Sequence, residues 1–228
     1  MKDKLIPSNA EQKINEFNRI GFHYDLVAKK IYRQRRSCDD PFDDQSFMRY
    51  IIAGLISFDM GRMMGKVEEA YDFEGKGFGS RLNSKLQEIK PMLTPLINLN
   101  LSLTKSGWQQ HKGDIIEAYD ILSANGKGAL NANPKKHFYV GATKILHFLN
   151  PELFIIVDSY AIKAFQNDVP AGYSATKYFK RMEHAQQDIQ DFGLEKFKAL
   201  DEPDTPITRI YDKLTFMTGK KILKGGER

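Results

Sequence analysis

Lys29, Lys30, Arg33, Arg35 and Arg36 fall within eight residues. Positive charge at that density can neutralise the phosphates of an anionic partner and release their counterions, or it can form a solvated helix face. Other residue types that carry chemistry are sparse. His23, His111, His137, His147 and His184 have no metal-ligand spacing with one another. The single cysteine, Cys38, excludes an internal disulfide framework and a cysteine-built zinc site, so neither a metal nor a cofactor is expected. Gly75, Gly77 and Gly79 alternate like a phosphate loop. No Gly-Lys-Ser/Thr follows and no strand precedes them, so they read as a flexible connection. Trp108 could stack on a base, but core packing suits it better. Arg209 and Asp212, at i and i+3, read as a helix-surface pair or as a tie holding the last helix in place.

The informative stretch is His137 to Phe165, HFYVGATKILHFLNPELFIIVDSYAIKAF. A Val-Gly-x-x-Lys entry leads into an apolar helix. A short proline-containing loop follows, then an apolar triplet, then Val-Asp and a new helix. This resembles the core of the helix-hairpin-helix DNA glycosylase superfamily, with Tyr139 standing where the family's hairpin has its first glycine. The resemblance implies that a hairpin glycine opens a helix whose backbone N–H groups bind a DNA phosphate. It implies that a lysine near that helix start attacks the sugar carbon, and that an aspartate at the next helix start assists. Carried over, these roles fall to Gly141, Lys144 and Asp158, whereas a match anchored on Gly141 puts the nucleophile position on Thr143; Gly141 and Thr143 are expected nucleic-acid contacts. Cleaving a glycosidic bond builds positive charge on the sugar, which a carboxylate stabilises and an amine can trap. Lys135 and Lys136, just before this helix, join Lys29, Lys30, Arg33, Arg35 and Arg36 as expected phosphate contacts. Architectural readings stand beside these: Asp158 as a helix N-cap, Lys144 snorkelling to solvent from the edge of an apolar stripe, Gly141 allowing close packing, and His147 partly buried and hydrogen-bonded.

The elements that must position these residues read as helices. Asn9 opens a first helix that runs to Ile20 and stops at Gly21. Apolar residues spaced three and four apart make Phe22 to Arg36 a second, amphipathic helix. A long apolar segment from about Phe42 to Met64 reads as a buried central helix. Ser80 starts another, which Pro91 and Pro95 break up, and Leu93 to Leu103 is the one plausible strand, though its prolines favour short helical turns. Asp114 to Ala124 is helical. Asn133-Pro134 reads as a cap and first-turn pair for the helix ending at Asn150-Pro151. Asp158, Ser174 and Asp204 with Pro206 start further helices, and Gly193 and Gly219 stop them. The connections are expected at 72–80 and 124–134.

The expected architecture is an all-α bundle of roughly nine or ten helices, glycosylase-like, in one domain with possible lobes 1–124 and 125–228 around a cleft. The net charge of +5, from 34 basic and 29 acidic residues, is a mild excess that alone says little about partners. No apolar run reaches the length of a membrane span, and MKDKLIPSNAEQK is too polar for a secretory signal, so a cytoplasmic address is expected. The expected function is binding of nucleic acid, duplex DNA above all, with base-excision-like chemistry at Lys144 and Asp158. The alternatives are a non-catalytic helical interaction protein on the same scaffold, and an enzyme acting on a small phosphorylated substrate.

Overall fold

The computed structural model describes residues 9–66, 69–102, 107–165 and 169–225. Among them the regular structure is all helical. α1 (Ala10–Ile20) buries Ile14 and Phe17 and ends at Gly21, whose N–H returns to the Phe17 carbonyl at 2.7 Å. α2 (Phe22–Arg36) starts at once. α3 (Gln45–Leu55) is capped by Asp44, which accepts from Phe47 N. It runs through a π-helical turn (Ile56–Met60) into the short α4 (Gly61–Met64), so the long central helix is present with a widened turn inside it.

α5 (Phe78–Leu93) begins two residues before Ser80 and carries Pro91 in its last turn. The candidate strand is a 3₁₀ turn at Thr94–Leu96 followed by irregular chain up to residue 102, and the rest of that segment lies outside the described residues. α6 (Lys112–Ser123), α7 (Tyr139–Leu149), α8 (Ser159–Ala164), α9 (Ala175–Phe192), α10 (Leu194–Lys198) and α11 (Ile207–Gly225) complete the order. Asp158 and Ser174 cap α8 and α9 through bonds to Ala161 N and Lys177 N.

Three local expectations are corrected. Asn133 does not cap a helix: its side chain accepts from Lys135 N at 3.0 Å and closes a turn, so α7 starts five residues after Pro134. Gly219 does not stop a helix. It lies inside α11, where an added Cβ would stand 2.0 Å from the Tyr160 carbonyl oxygen, so glycine is what lets α8 lie against α11. The glycine-rich connection is tied down, because the Asp72 carboxylate accepts N–H bonds from Glu74, Gly75 and Gly77.

α7 is the central element. All its residues from Gly141 to Leu149 are buried, and it packs against α2, α3 and α6. α11 packs along α8 and also meets α1 and α10. The buried apolar side chains form one cluster from Ala10 to Leu214 with no gap at residue 124. Burial on this scale supplies the main stabilisation of the bundle.

Candidate functional site

α1, α2, α7 and α11 meet around a cavity of about 480 Å³. Its walls are largely aromatic: Phe17, Tyr24, Phe58, Tyr160 and Phe216 all line it. Tyr24 stacks on Phe58 with centroids 5.2 Å apart, and Phe216 bridges Phe17 and Tyr160 at 5.5 and 4.6 Å. The π-helical turn puts Phe58 in this position, since the extra residue in the turn rotates the following side chains relative to α3.

Charged groups line the same cavity. Arg209 and Asp212, one turn apart on α11, are buried and hydrogen-bonded to each other. Arg209 also reaches Asp25 Oδ1 through Nη2 (2.8 Å) and Nε (3.1 Å), and its guanidinium lies 5.0 and 5.6 Å from the centroids of Phe17 and Phe58. Lys213 joins Asp25 at 2.7 Å and Asp201 at 2.6 Å behind this pair. Burial opposes the charge on Arg209, but the Asp212 and Asp25 carboxylates outweigh it and keep the guanidinium protonated well above its usual range. Burial alone would raise Asp25, yet Arg209 and Lys213 hold it below the ordinary carboxylate range. Asp212 goes the other way. Burial, with Asp158 adding repulsion, pushes it up to about 6 against the pull of Arg209 and Lys144.

Lys144 and Asp158, fourteen residues apart in sequence, line this one cavity. Lys144 does not snorkel to solvent. The residue is 6% exposed; its ammonium donates to the Phe58 carbonyl at 3.1 Å and sits 4.8 Å from the Phe58 ring centroid. Asp158 is half-buried and spends one oxygen on capping α8 at Ala161 N (2.9 Å). Its charge also reaches Tyr173, whose phenol burial and Asp158 together push upward. Tyr173 is one end of a stack in which His137, Tyr139 and Tyr173 lie nearly parallel, with successive centroids 4.5 and 5.3 Å apart, beside the start of α7.

The remaining expected contacts divide. Gly141 and Thr143 are buried and do not face a partner. A Cβ on Gly141 would stand 1.9 Å from the Phe138 ring, so the glycine serves packing. Thr143 accepts from Val157 N at 3.2 Å and donates to the Val140 carbonyl, tying α7 to the segment that leads into α8. Arg35 is also architectural, because its Nε donates to the Leu149 carbonyl at 2.7 Å at the end of α7. Lys29 pairs with Glu202 at 2.5 Å. Lys30, Arg33 and Arg36 are exposed, as are Lys135 and Lys136. Arg35 thus stands at the C-terminal end of α7, whereas Lys135 and Lys136 precede its first residue, Tyr139. Trp108 is fully buried against Phe179.

Sequence reasoning missed Arg209 and Asp212 as cavity residues, and Asp25 as the carboxylate that holds Arg209. The available signal was charge embedded in an apolar run, since Ile207-Thr208-Arg209-Ile210-Tyr211-Asp212-Lys213-Leu214 is buried on every side. Among the described residues, no group of three or more His, Cys, Asp or Glu side chains is placed to hold a metal ion, and no helix is long and apolar enough to cross a membrane. No protein-family model, curated protein or solved structure matches this chain.

Proposed function

We propose that this chain binds nucleic acid, with duplex DNA as the preferred form, and takes an extruded nucleotide into the cavity between α1, α2, α7 and α11, where Lys144 and Asp158 act on the sugar. The observation that carries this reading is that an amine and a carboxylate share one cavity walled by aromatic rings. Aromatic faces replace the stacking a base loses when it leaves the duplex. Asp158 is half-buried and lines the same cavity, where a carboxylate favours a cationic sugar. At an abasic site the Lys144 amine would add to the sugar aldehyde carbon, and loss of water would leave an imine.

Borohydride trapping tests this. Hydride reduces the imine carbon and leaves a stable secondary amine joining protein to DNA. Wild type incubated with abasic DNA should give the adduct, and Lys144→Ala should not. Asp158→Asn should slow adduct formation at unchanged stability, because asparagine caps as well as aspartate does, whereas Asp158→Ala should also cost about 1 kcal/mol of stability. An adduct that persists in Lys144→Ala removes this lysine from the mechanism.

One observation favours a second reading, a non-catalytic interaction protein. The Lys144 ammonium is already engaged by the carbonyl and the ring of Phe58. That reading expects DNA binding without any adduct from wild type.

A further inference from the structure

The N-terminal half of α1 and the C-terminal half of α11 enclose a second cavity of about 300 Å³, lined by Lys13, Lys220, Lys221, Gln12, Glu16 and Met217 among others. Three lysines converge there from two helices. Lys13 donates to Thr218 Oγ1 at 2.8 Å, which fixes its ammonium between the helices and leaves two of its three protons for other acceptors. Burial, and then the charge of Lys221, hold Lys13 below its ordinary pKa. Like charges have therefore been brought close. Among the described residues, no carboxylate makes an ion pair with Lys13, Lys220 or Lys221, and Glu16 acts on Lys13 only from a greater distance. This contrasts with the first cavity, where Arg209 and Lys213 each hold two carboxylates.

The two cavities are neighbours. Lys220 lines both, and its ammonium lies 5.8 Å from the centroid of Phe216, an aromatic wall of the first. A groove with three lysines and one glutamate, beside an aromatic cavity, suits a nucleotide: flat ring on one side, phosphate on the other. Spacing along α11 reinforces this, since residues three and four apart share a helix face. Phe216 and Lys220 therefore stand one turn apart, with Lys220 over the groove end.

We infer that the groove between α1 and α11 binds a backbone phosphate of the strand whose nucleotide enters the aromatic cavity, with Lys13, Lys220 and Lys221 as its contacts. This rests on the nucleic-acid reading of that cavity, and it locates the main phosphate contact away from both the 29–36 cluster and the start of α7.

The test is fluorescence anisotropy with labelled duplex DNA carrying one stable abasic analogue, over a salt series of about 50–200 mM. Lys220→Glu/Lys221→Glu should lose at least about tenfold in affinity and lower the slope of log K against log salt by about 2, and Lys13→Gln should lower it by about 1. Lys180→Glu/Lys196→Glu makes the same charge change at exposed lysines of α9 and α10 and should do far less. Circular dichroism and melting of each variant confirm that it folds. A loss at Lys220 and Lys221 no larger than at Lys180 and Lys196 overturns the inference. If wild type binds no DNA, the nucleic-acid reading itself fails, and calorimetry with tripolyphosphate then decides about the groove. Tripolyphosphate binding that disappears in Lys13→Gln would mean the groove takes a free polyphosphate and not a strand, and absence of binding would mean it is no phosphate site at all.

Discussion

The ammonium of Lys144 is held twice by Phe58, through a hydrogen bond to its carbonyl and through the face of its ring. One residue in a π-helical turn thus controls where the cavity's amine points. A buried cation over an aromatic face gains more than an exposed one, because water no longer competes for it.

Phe58→Leu therefore keeps the carbonyl contact and removes the ring. The expected cost in stability is about 1–2 kcal/mol, since Phe58 also packs on Tyr24 and Phe148. Adduct formation with abasic DNA should fall by more than that loss of folded protein explains, because the amine is no longer aimed. Trapping rates normalised to folded fraction, measured well below the melting temperature, decide the matter. Unchanged normalised rates would mean that the ring contact is packing alone.

Two buried groups give pH dependences of opposite sign. His147 is fully buried; its Nδ1–H donates to the Phe154 carbonyl (2.8 Å) and its Nε2 accepts from the Tyr32 hydroxyl (2.7 Å). Burial lowers it to about 3, below its unfolded value of about 6.5. Stability from the neutral ring is thus present above about pH 6.5 and falls by roughly 1.4 kcal/mol per pH unit as acid is added, down to the folded value. Asp212, raised to about 6, does the reverse: its contribution is present below the unfolded value near 3.9 and is lost as pH rises through 6. Chemical denaturation at pH 6.5 and pH 5 should show the difference. Relative to wild type, His147→Gln should flatten the acid loss, and Asp212→Asn should steepen it. Parallel curves for all three proteins would contradict the protonation states assigned here.

Gly219→Ala should be severe. The new methyl would meet backbone, the Tyr160 carbonyl oxygen, at 2.0 Å, and backbone in a packed helix pair cannot yield as a long side chain can. Overpacking commonly costs about 1–3 kcal/mol, and this contact belongs at or beyond the upper end. Thermal melting reads the loss. Because Tyr160 and Asp158 line the cavity, the variant should also bind abasic DNA more weakly at temperatures where it remains folded.

Much of the helical layout was legible because local chemistry decided it. Gly21 ends α1, Asp158 and Ser174 cap their helices by accepting backbone N–H bonds, and Gly193 ends α9 in a left-handed conformation. Where local reading failed, a residue had a second use. Asn133 spends its side chain on a turn, and Gly219 is needed for close approach inside α11. Of the cavity, Lys144 and Asp158 were marked by the pattern around them. Arg209 and Asp212 were not, because an i, i+3 pair looks the same in sequence whether it faces water or the interior. Their partner Asp25 lies 184 residues from Arg209, a separation that leaves no periodic trace.

That separation has a consequence for how the cavity comes into being. Phe17 and Asp25 belong to α1 and α2, whereas Arg209, Asp212 and Phe216 belong to α11. During synthesis from the ribosome the first wall waits, with Asp25 unneutralised and Phe17 uncovered, until α11 has emerged. Contacts so distant in sequence must close long loops before they gain anything, which slows folding. The cavity is complete only when α1, α2 and α11 have met, so on the proposed function recovery of DNA binding after dilution from denaturant should trail the return of helical signal.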